Sequence, residues 1–437
     1  MKEIHQKNRW YNFLRPYVDR MSLACFSRYR YTGRENIPDN AAVIYAPNHS
    51  QALMDALVVL AIDKSPKVFV ARADIFKKPT IRKILWFLKM LPINRMRDGR
   101  ESLQENERIA NQVVKALRED VSFCILPEGT HQAANSLLPL RKGLFRIALQ
   151  ANADFGDKKP VYIVPVGITF GNYFRYLSTM LCQIGTPINV TEFVKNHPQK
   201  SEAELINELR DILTQKLKEN ILYIPHNENY TGTMELCHIC NQQQIKALHL
   251  DNHSLKARLM AARTTVKQLQ SAFEKSQQST QNLIDRAKQF YQKRKKAGIG
   301  FTSILLDKQF KTLIINKLWL LLGLPYFIFS FFANLLLMLV FGFTLPGIKD
   351  KAFVNSFKVV LQVIFIPLTI LLTAVLSFVF LKWYFALIIT VLCIPSAFYL
   401  FYYVKWIKTW ISDVKWLLNK ELQKEYFELA EDAMGII

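Results

Sequence analysis

Three uncharged apolar runs near the C-terminal end constrain this chain more than any other feature. Leu318–Leu345 runs 28 residues without a charged side chain, Val359–Leu381 runs 23, and Trp383–Val404 runs 22. A hydrocarbon core about 30 Å thick takes about 20 apolar residues in a helix, so each run is long enough to span one. Trp319, Trp383, Tyr384, Tyr402, Tyr403 and Trp406 sit near the ends of the runs, where amphipathic rings meet the headgroup layer. The sequence therefore predicts an integral membrane protein. Lysines flank these runs, with Lys349, Lys351 and Lys358 dividing the first from the second. Three simple crossings would set those lysines outside, against the positive-inside tendency. The expectation is that Leu318–Leu345, which carries Gly323 and Pro325, dips in and returns.

The remaining residues read as separate regions. Residues 1–32, with Trp10, Tyr11, Phe13, Leu14, Tyr17, Met21, Leu23 and Phe26, predict an N-terminal amphipathic helix suited to an interface. Nothing within the first twenty residues has the apolar core of a signal peptide, so the N-terminal half is expected on the cytoplasmic face. Residues 33–220 alternate strand and helix signals: strands at 42–46, 68–71, 123–126 and 161–170, helices at 52–62, 75–91, 101–119, 143–150 and 202–219. That alternation predicts an α/β domain with a mixed sheet flanked by helices. Residues 221–300 are polar and predict a helical arm, and 301–437 form the membrane region.

Charge narrows the partners. The net charge of +22 suits nucleic acid, an anionic membrane surface or a phosphorylated ligand. No nucleic-acid-binding motif accompanies it, and the apolar runs favour the bilayer. Six scattered cysteines form no disulfide framework and predict reduced thiols. Cys237-His238-Ile239-Cys240 lacks the second ligand pair of a zinc site, so no metal is expected.

The chemistry is concentrated at two strand ends. Asn48-His49-Ser50-Gln51-Ala52-Leu53-Met54-Asp55 follows the apolar strand at 42–46, and Leu126-Pro127-Glu128-Gly129-Thr130 follows the strand at 123–126. A histidine with a carboxylate behind it suits a general base and its orienting partner. Six helical steps turn about 240° and rise about 9 Å, so the two would not share a helix face. Contact requires His49 to sit in non-helical backbone ahead of the helix. Asp55 could then hold one ring nitrogen and leave the other basic. Ser50, adjoining the base, is expected to cap the helix rather than act as a nucleophile.

These segments resemble, in order, the four blocks of the glycerophosphate and lysophosphatidate acyltransferase family: NHSQALMD, LPINR, LPEGTH followed by LRKGLF, and VPVGITF, with TGRENIP at 32–38 and IGTPI at 184–188. The resemblance covers roughly residues 25–220. The family usually places four residues between histidine and aspartate; five stand here, as in the variant branch resembling membrane-bound glycerol-3-phosphate acyltransferases. The resemblance implies an O-acyltransferase of phospholipid biosynthesis that makes phosphatidic acid, with His49 as general base and Asp55 as its support. It implies that Arg95 contacts the acceptor phosphate, and that Glu128, Gly129 and Thr130 bind the glycerol phosphate. The family's arginine after this threonine is His131 here, and Arg141 and Lys142 are candidates for the missing charge. The acceptor would be 1-acyl-sn-glycerol 3-phosphate (lysophosphatidic acid), with glycerol 3-phosphate as the alternative. The donor would be acyl-CoA or an acyl carrier protein thioester, with no cofactor. An inactive membrane scaffold is the rival reading. Pro165 would shape the fourth block, and the basic stretch Phe76–Lys83 would face lipid.

Overall fold

The computed structural model describes residues 3–94, 100–304 and 310–436. They fall into two bodies, Met1–Ile221 with Asp350–Ser356, and Leu222–Lys349 with Phe357–Ile437.

The first body is built on one sheet. Its strands are β1 (Arg28–Thr32), β2 (Ala42–Pro47), β3 (Lys67–Arg72), β4 (Met90–Ile93), β5 (Ser122–Cys124), β6 (Val161–Phe170), β7 (Thr179–Ile184) and β8 (Ile188–Asn189). Their order is β1-β7-β6-β2-β5-β3-β4, with β8 also on β6. β2 lies parallel to both β5 and β6, whereas β6 and β7 are antiparallel. All six residues of β2 are buried, as expected of a parallel strand covered on both faces. Helices α1 (Arg9–Ala24), α2 (Leu53–Leu60), α3 (Pro79–Phe87), α4 (Arg100–Arg118), α5 (Gly143–Phe155), α6 (Val190–Lys195) and α7 (Glu202–Asn220) flank the sheet. The core joins Ile44, Val68, Phe123 and Ile163 of the sheet to Val113, Leu144 and Leu213 of the helices. The fold is the mixed α/β sheet expected.

Two edges differ from expectation. The helix expected over residues 1–32 stops at Ala24, and the chain enters β1 beside β7. Arg28-Tyr29-Arg30-Tyr31 alternates with the period of a strand, a signal that the aromatic richness of the segment masks. The helix expected over residues 75–91 is a short 3-10 turn at Ala73–Lys77 and α3, followed by β4. Lys89, at φ 59°, turns the chain between them. Pro92 donates no hydrogen bond, but β4 pairs only with β3, and the sheet's last strand tolerates it. Gly33 closes the turn after β1 at φ 77°, where a Cβ would stand 2.1 Å from the Ile184 carbonyl oxygen.

The second body has two parts. Helices α8 (Tyr230–Ile239), α9 (Asn241–Ala247), α10 (Leu255–Lys275) and α11 (Gln277–Lys296) form an arm completed by α17 (Lys420–Ile436), with Leu236, Leu283, Phe290 and Leu429 in its core. Glu235 is buried there and accepts two bonds of 2.7 Å from Arg294. Cys237 and Cys240 are buried beside it, and burial raises both thiols, Cys240 to about 12.

The apolar part continues through α12 (Phe301–Ile304), α13 (Phe310–Ala333), α14 (Leu335–Thr344), α15 (Lys351–Phe380, whose residues up to Ser356 belong to the first body) and α16 (Trp383–Leu418). Three of its segments, Thr312–Ala333, Lys351–Phe380 and Trp383–Leu418, are long and apolar enough to cross a membrane. α13 packs on α16 through Tyr399 and Tyr326, whose hydroxyls donate to Gly323 and Leu392 carbonyls at 2.9 and 2.7 Å. The first apolar run breaks at Asn334, not at Gly323 or Pro325. The Asn334 amide is buried and donates to Ser330 O and Ser396 Oγ at 2.9 and 2.8 Å.

Candidate active site

β2 and β5 run side by side in the same direction, and both chemistry-bearing segments leave their C-terminal ends. That edge is where parallel α/β sheets place ligands. Asn48 continues the β2 ladder with its side chain: its amide donates to Ile168 O at 3.0 Å, and its oxygen accepts from Ile168 N at 2.7 Å. The next residue is thereby held at a fixed point beyond the sheet.

That residue is His49. Its N–H donates to Glu128 Oε1 at 2.6 Å, and its carbonyl accepts from Gln132 N at 3.1 Å. Both of its backbone polar groups are therefore held by the Glu128 segment. It stands in non-helical backbone ahead of α2, as the spacing requires. The ring, 15% exposed, places Nδ1 2.8 Å from Asp55 Oδ2. The same oxygen accepts from Ser50 N and Gln51 N, each at 2.8 Å. Asp55 is wholly buried, and an anion at the first turn of α2 is favoured by the helix dipole. With Nδ1 committed to Asp55, Nε2 is the nitrogen left to take a proton.

The fifth intervening residue is absorbed by a turn. Met54 N donates to Gln51 O at 2.9 Å, and Ala52 lies at φ 48°, ψ −122°. This is the first inner position of a type II′ turn, where glycine is usual. Ser50 was expected to cap α2 but does not: its hydroxyl is buried and unpartnered among the described residues. Asp55 reaches back to the Ser50 and Gln51 N–H groups instead. Gln51 Nε2 donates to Tyr173 O at 2.9 Å and ties this turn to the loop after β6.

Glu128 is held by backbone groups on both sides. It is 2% exposed, and its second oxygen accepts from Leu138 N at 2.8 Å. Burial pushes its carboxyl up to about 7, against the lowering effect of the Leu138 and His49 N–H groups. It braces the His49 backbone and offers little surface to an acceptor. Gly129 takes φ 70° and, like Thr130, is exposed. Arg141 passes beside Gly129, with Cγ 3.3 Å from where a Cβ would stand, so one of the two candidate cations reaches this turn. Lys142 is exposed at the start of α5. Arg95 lies outside the described residues. Pro165 lies in β6, paired with Ala46 of β2.

Residue 131 gains a meaning that composition did not supply. The His131 ring stands edge-on to His49, centroids 5.3 Å apart, and Nε2 lies 2.7 Å from Asp350 Oδ2. Asp350 is 219 positions away in the chain, and no sequence pattern links the two.

The family model described as acyltransferase matches residues 28–169, a span that contains both strand ends and the His49–Asp55 pair. That match spans about a third of the chain. A 1-acyl-sn-glycerol-3-phosphate acyltransferase of Borreliella burgdorferi is 25% identical to the chain over 191 residues, 44% of this chain and 69% of the relative. A protein of the same name from Cocos nucifera is 26% identical over 187 residues, 43% of this chain and 54% of the relative. The crystal structure of the 1-acyl-sn-glycerophosphate acyltransferase from Thermotoga maritima covers 49% of this chain and 84% of its own, with 18% identity and a TM-score of 0.35. The chain thus spans about two thirds of the bacterial relative and about half of the plant one. The matched residues carry β1 to β6 of the first body's sheet; β7, β8, the arm and the apolar helices lie beyond them.

Proposed function

We propose that this membrane-associated protein transfers a fatty acyl group from an acyl thioester to the free hydroxyl of 1-acyl-sn-glycerol 3-phosphate, yielding phosphatidic acid. The observation that carries this reading is the 2.8 Å contact between His49 Nδ1 and the buried Asp55, at the C-terminal edge of the parallel strands. His49 Nε2 takes the hydroxyl proton as the oxygen attacks the thioester carbonyl. The tetrahedral intermediate collapses, the C–S bond breaks, and the imidazolium returns the proton to the departing thiolate. Asp55 stabilises the imidazolium through the bond it already makes. Proximity and base catalysis are sufficient for a thioester, so no acyl-enzyme is invoked. Arg95, Arg141 and Lys142 are the proposed phosphate contacts, Arg141 being the one beside Gly129, with Thr130 at the same exposed turn.

The membrane reading draws on the first body as well. α1 exposes Trp10 and Phe13, and α3 exposes Ile81 and Ile84, with Tyr11 and Phe87 rings 6.2 Å apart where the helices meet. Lys77, Lys78, Arg82 and Lys83 flank this apolar patch. Such a surface draws anionic headgroups towards the site, and we place it on the cytoplasmic face. The donor is an acyl-CoA or an acyl carrier protein thioester, both acidic, as a basic protein would attract.

The five-residue His49–Asp55 spacing favours one alternative acceptor, glycerol 3-phosphate. Purified full-length protein, given labelled lysophosphatidate or glycerol 3-phosphate with each donor type, tests both. Phosphatidic acid formed from lysophosphatidate supports the proposal. Transfer to glycerol 3-phosphate alone would replace it, and no transfer to either would leave the scaffold reading.

A further inference from the structure

The segment Asp350–Ser356 belongs to the first body, although it follows the first apolar run in the chain and lies outside residues 28–169. Four contacts seat it at the histidine site. Asp350 Oδ2 meets His131 Nε2 at 2.7 Å. The Phe353 ring stands edge-on to His131, centroids 5.1 Å apart. Asn355 Nδ2 donates to Tyr173 O at 3.0 Å, and Ser356 Oγ donates to Gln51 O at 3.4 Å. Asn355 and Ser356 are buried, as is Ala352. These anchors touch the residues that shape the His49 loop: His131 beside its ring, Gln51 in its turn, and Tyr173, which Gln51 also bonds.

Two restraints act on the His49 ring. Asp55 fixes one nitrogen but leaves the ring free to pivot about that bond. His131, edge-on at 5.3 Å, blocks the pivot on one side. His131 is itself wedged between Asp350 and Phe353. Asp350 is half-exposed and anchored by its own bond from Ala352 N at 2.9 Å, at the start of α15. Slight burial would raise its carboxyl, but the Ala352 N–H and His131 outweigh this and hold it below the usual carboxylate range. It therefore remains an acceptor across neutral pH.

We propose that Asp350 is a positioning residue for acyl transfer, supplied from outside the acyltransferase domain, which holds His131 against His49 and so fixes the tilt of the basic nitrogen. The inference rests on the reading of His49 as general base. It makes the segment leading into α15 part of the working site. A second carboxylate–imidazole pair stands where the family's resemblance would place an arginine.

Full-length protein in phosphatidylethanolamine–phosphatidylglycerol vesicles tests it, with labelled lysophosphatidate and whichever thioester the wild type uses. Misplacing a base by about 1 Å can cost up to about a hundredfold. We expect Asp350→Ala to lower kcat about tenfold with KM within about twofold, because the loss falls on the transition state. Asp350→Asn keeps the shape and an accepting oxygen, and should recover most of that loss. The double variant Asp350→Ala/His131→Ala should be no slower than His131→Ala alone, since one residue acts through the other. Wild-type kcat in Asp350→Ala, or losses that multiply in the double variant, would overturn the inference. So would a defect confined to KM. No transfer by the wild type removes the reaction and this inference together; transfer that needs His49 but not Asp350 removes this inference alone.

Discussion

One carboxylate oxygen of Asp55 collects three donors, His49 Nδ1, Ser50 N and Gln51 N, each at 2.8 Å. That arrangement sets ring orientation and backbone path together, so the site cannot lose one without the other. Glu128 does the same from the opposite side by taking the His49 and Leu138 N–H groups. Its burial has a measurable consequence. The carboxyl titrates near its ordinary 4.5 in the unfolded chain and near 7 when folded. Between these values the folded protein keeps a proton that the unfolded chain has released. The stabilisation is therefore full below the lower value, falls as pH rises through the window, and is lost above about 7. Glu128→Gln should remove that slope. Thermal unfolding of both proteins at about pH 5 and about pH 8 checks it: the wild-type advantage in midpoint should be larger at the lower pH. An advantage that grows towards the higher pH would contradict the assignment.

Among the elements, the turn between β2 and α2 matters most. Ala52 occupies a backbone region that L-residues adopt at a cost of about 1–3 kcal/mol. The extra residue between His49 and Asp55 is accommodated there. A β-branched side chain at positive φ is worse still. Ala52→Val should lower the unfolding midpoint by about 5 °C or more, whereas Ala52→Gly should not lower it, a kcal/mol being worth about 2–4 °C in a domain of this size. Equal midpoints for the two variants would show that the turn is not strained. The His49–Asp55 contact was legible from the resemblance; helix geometry added only the condition that His49 stand in non-helical backbone ahead of α2. The long buried strands β2 and β6 were legible from their apolar runs. The short edge strands β1 and β4 were not, because arginines, aromatics and Pro92 disguise them. The role of Glu128 was hidden for another reason: residue type does not say which donors consume its lone pairs. Asp350 was beyond reach because only tertiary structure brings it to His131.

For the molecule as a whole, chain order and body membership constrain the path through the membrane. Met1–Ile221 and Asp350–Ser356 share one body, yet the Thr312–Ala333 apolar helix lies between them. A body on one side of a bilayer allows only an even number of crossings between its parts. The run breaks at Asn334, and the ten-residue α14, about 15 Å long, is too short to span a hydrocarbon core on its own. We expect the apolar stretch to dip in and return, which would keep Lys349, Lys351 and Lys358 on the face that the positive-inside tendency favours. A cysteine replacing Lys349 should react with an impermeant maleimide from that side of sealed vesicles, and the six native cysteines, all buried, give little background. Labelling from the opposite face only would refute this path. The account as a whole depends on His49 as the proton acceptor, and replacing it with alanine in the full-length protein is the most direct measurement. Acyl transfer to lysophosphatidate should fall about 10²–10⁴-fold while the protein stays folded and in the vesicle fraction. Transfer at the wild-type rate by the alanine variant would contradict it.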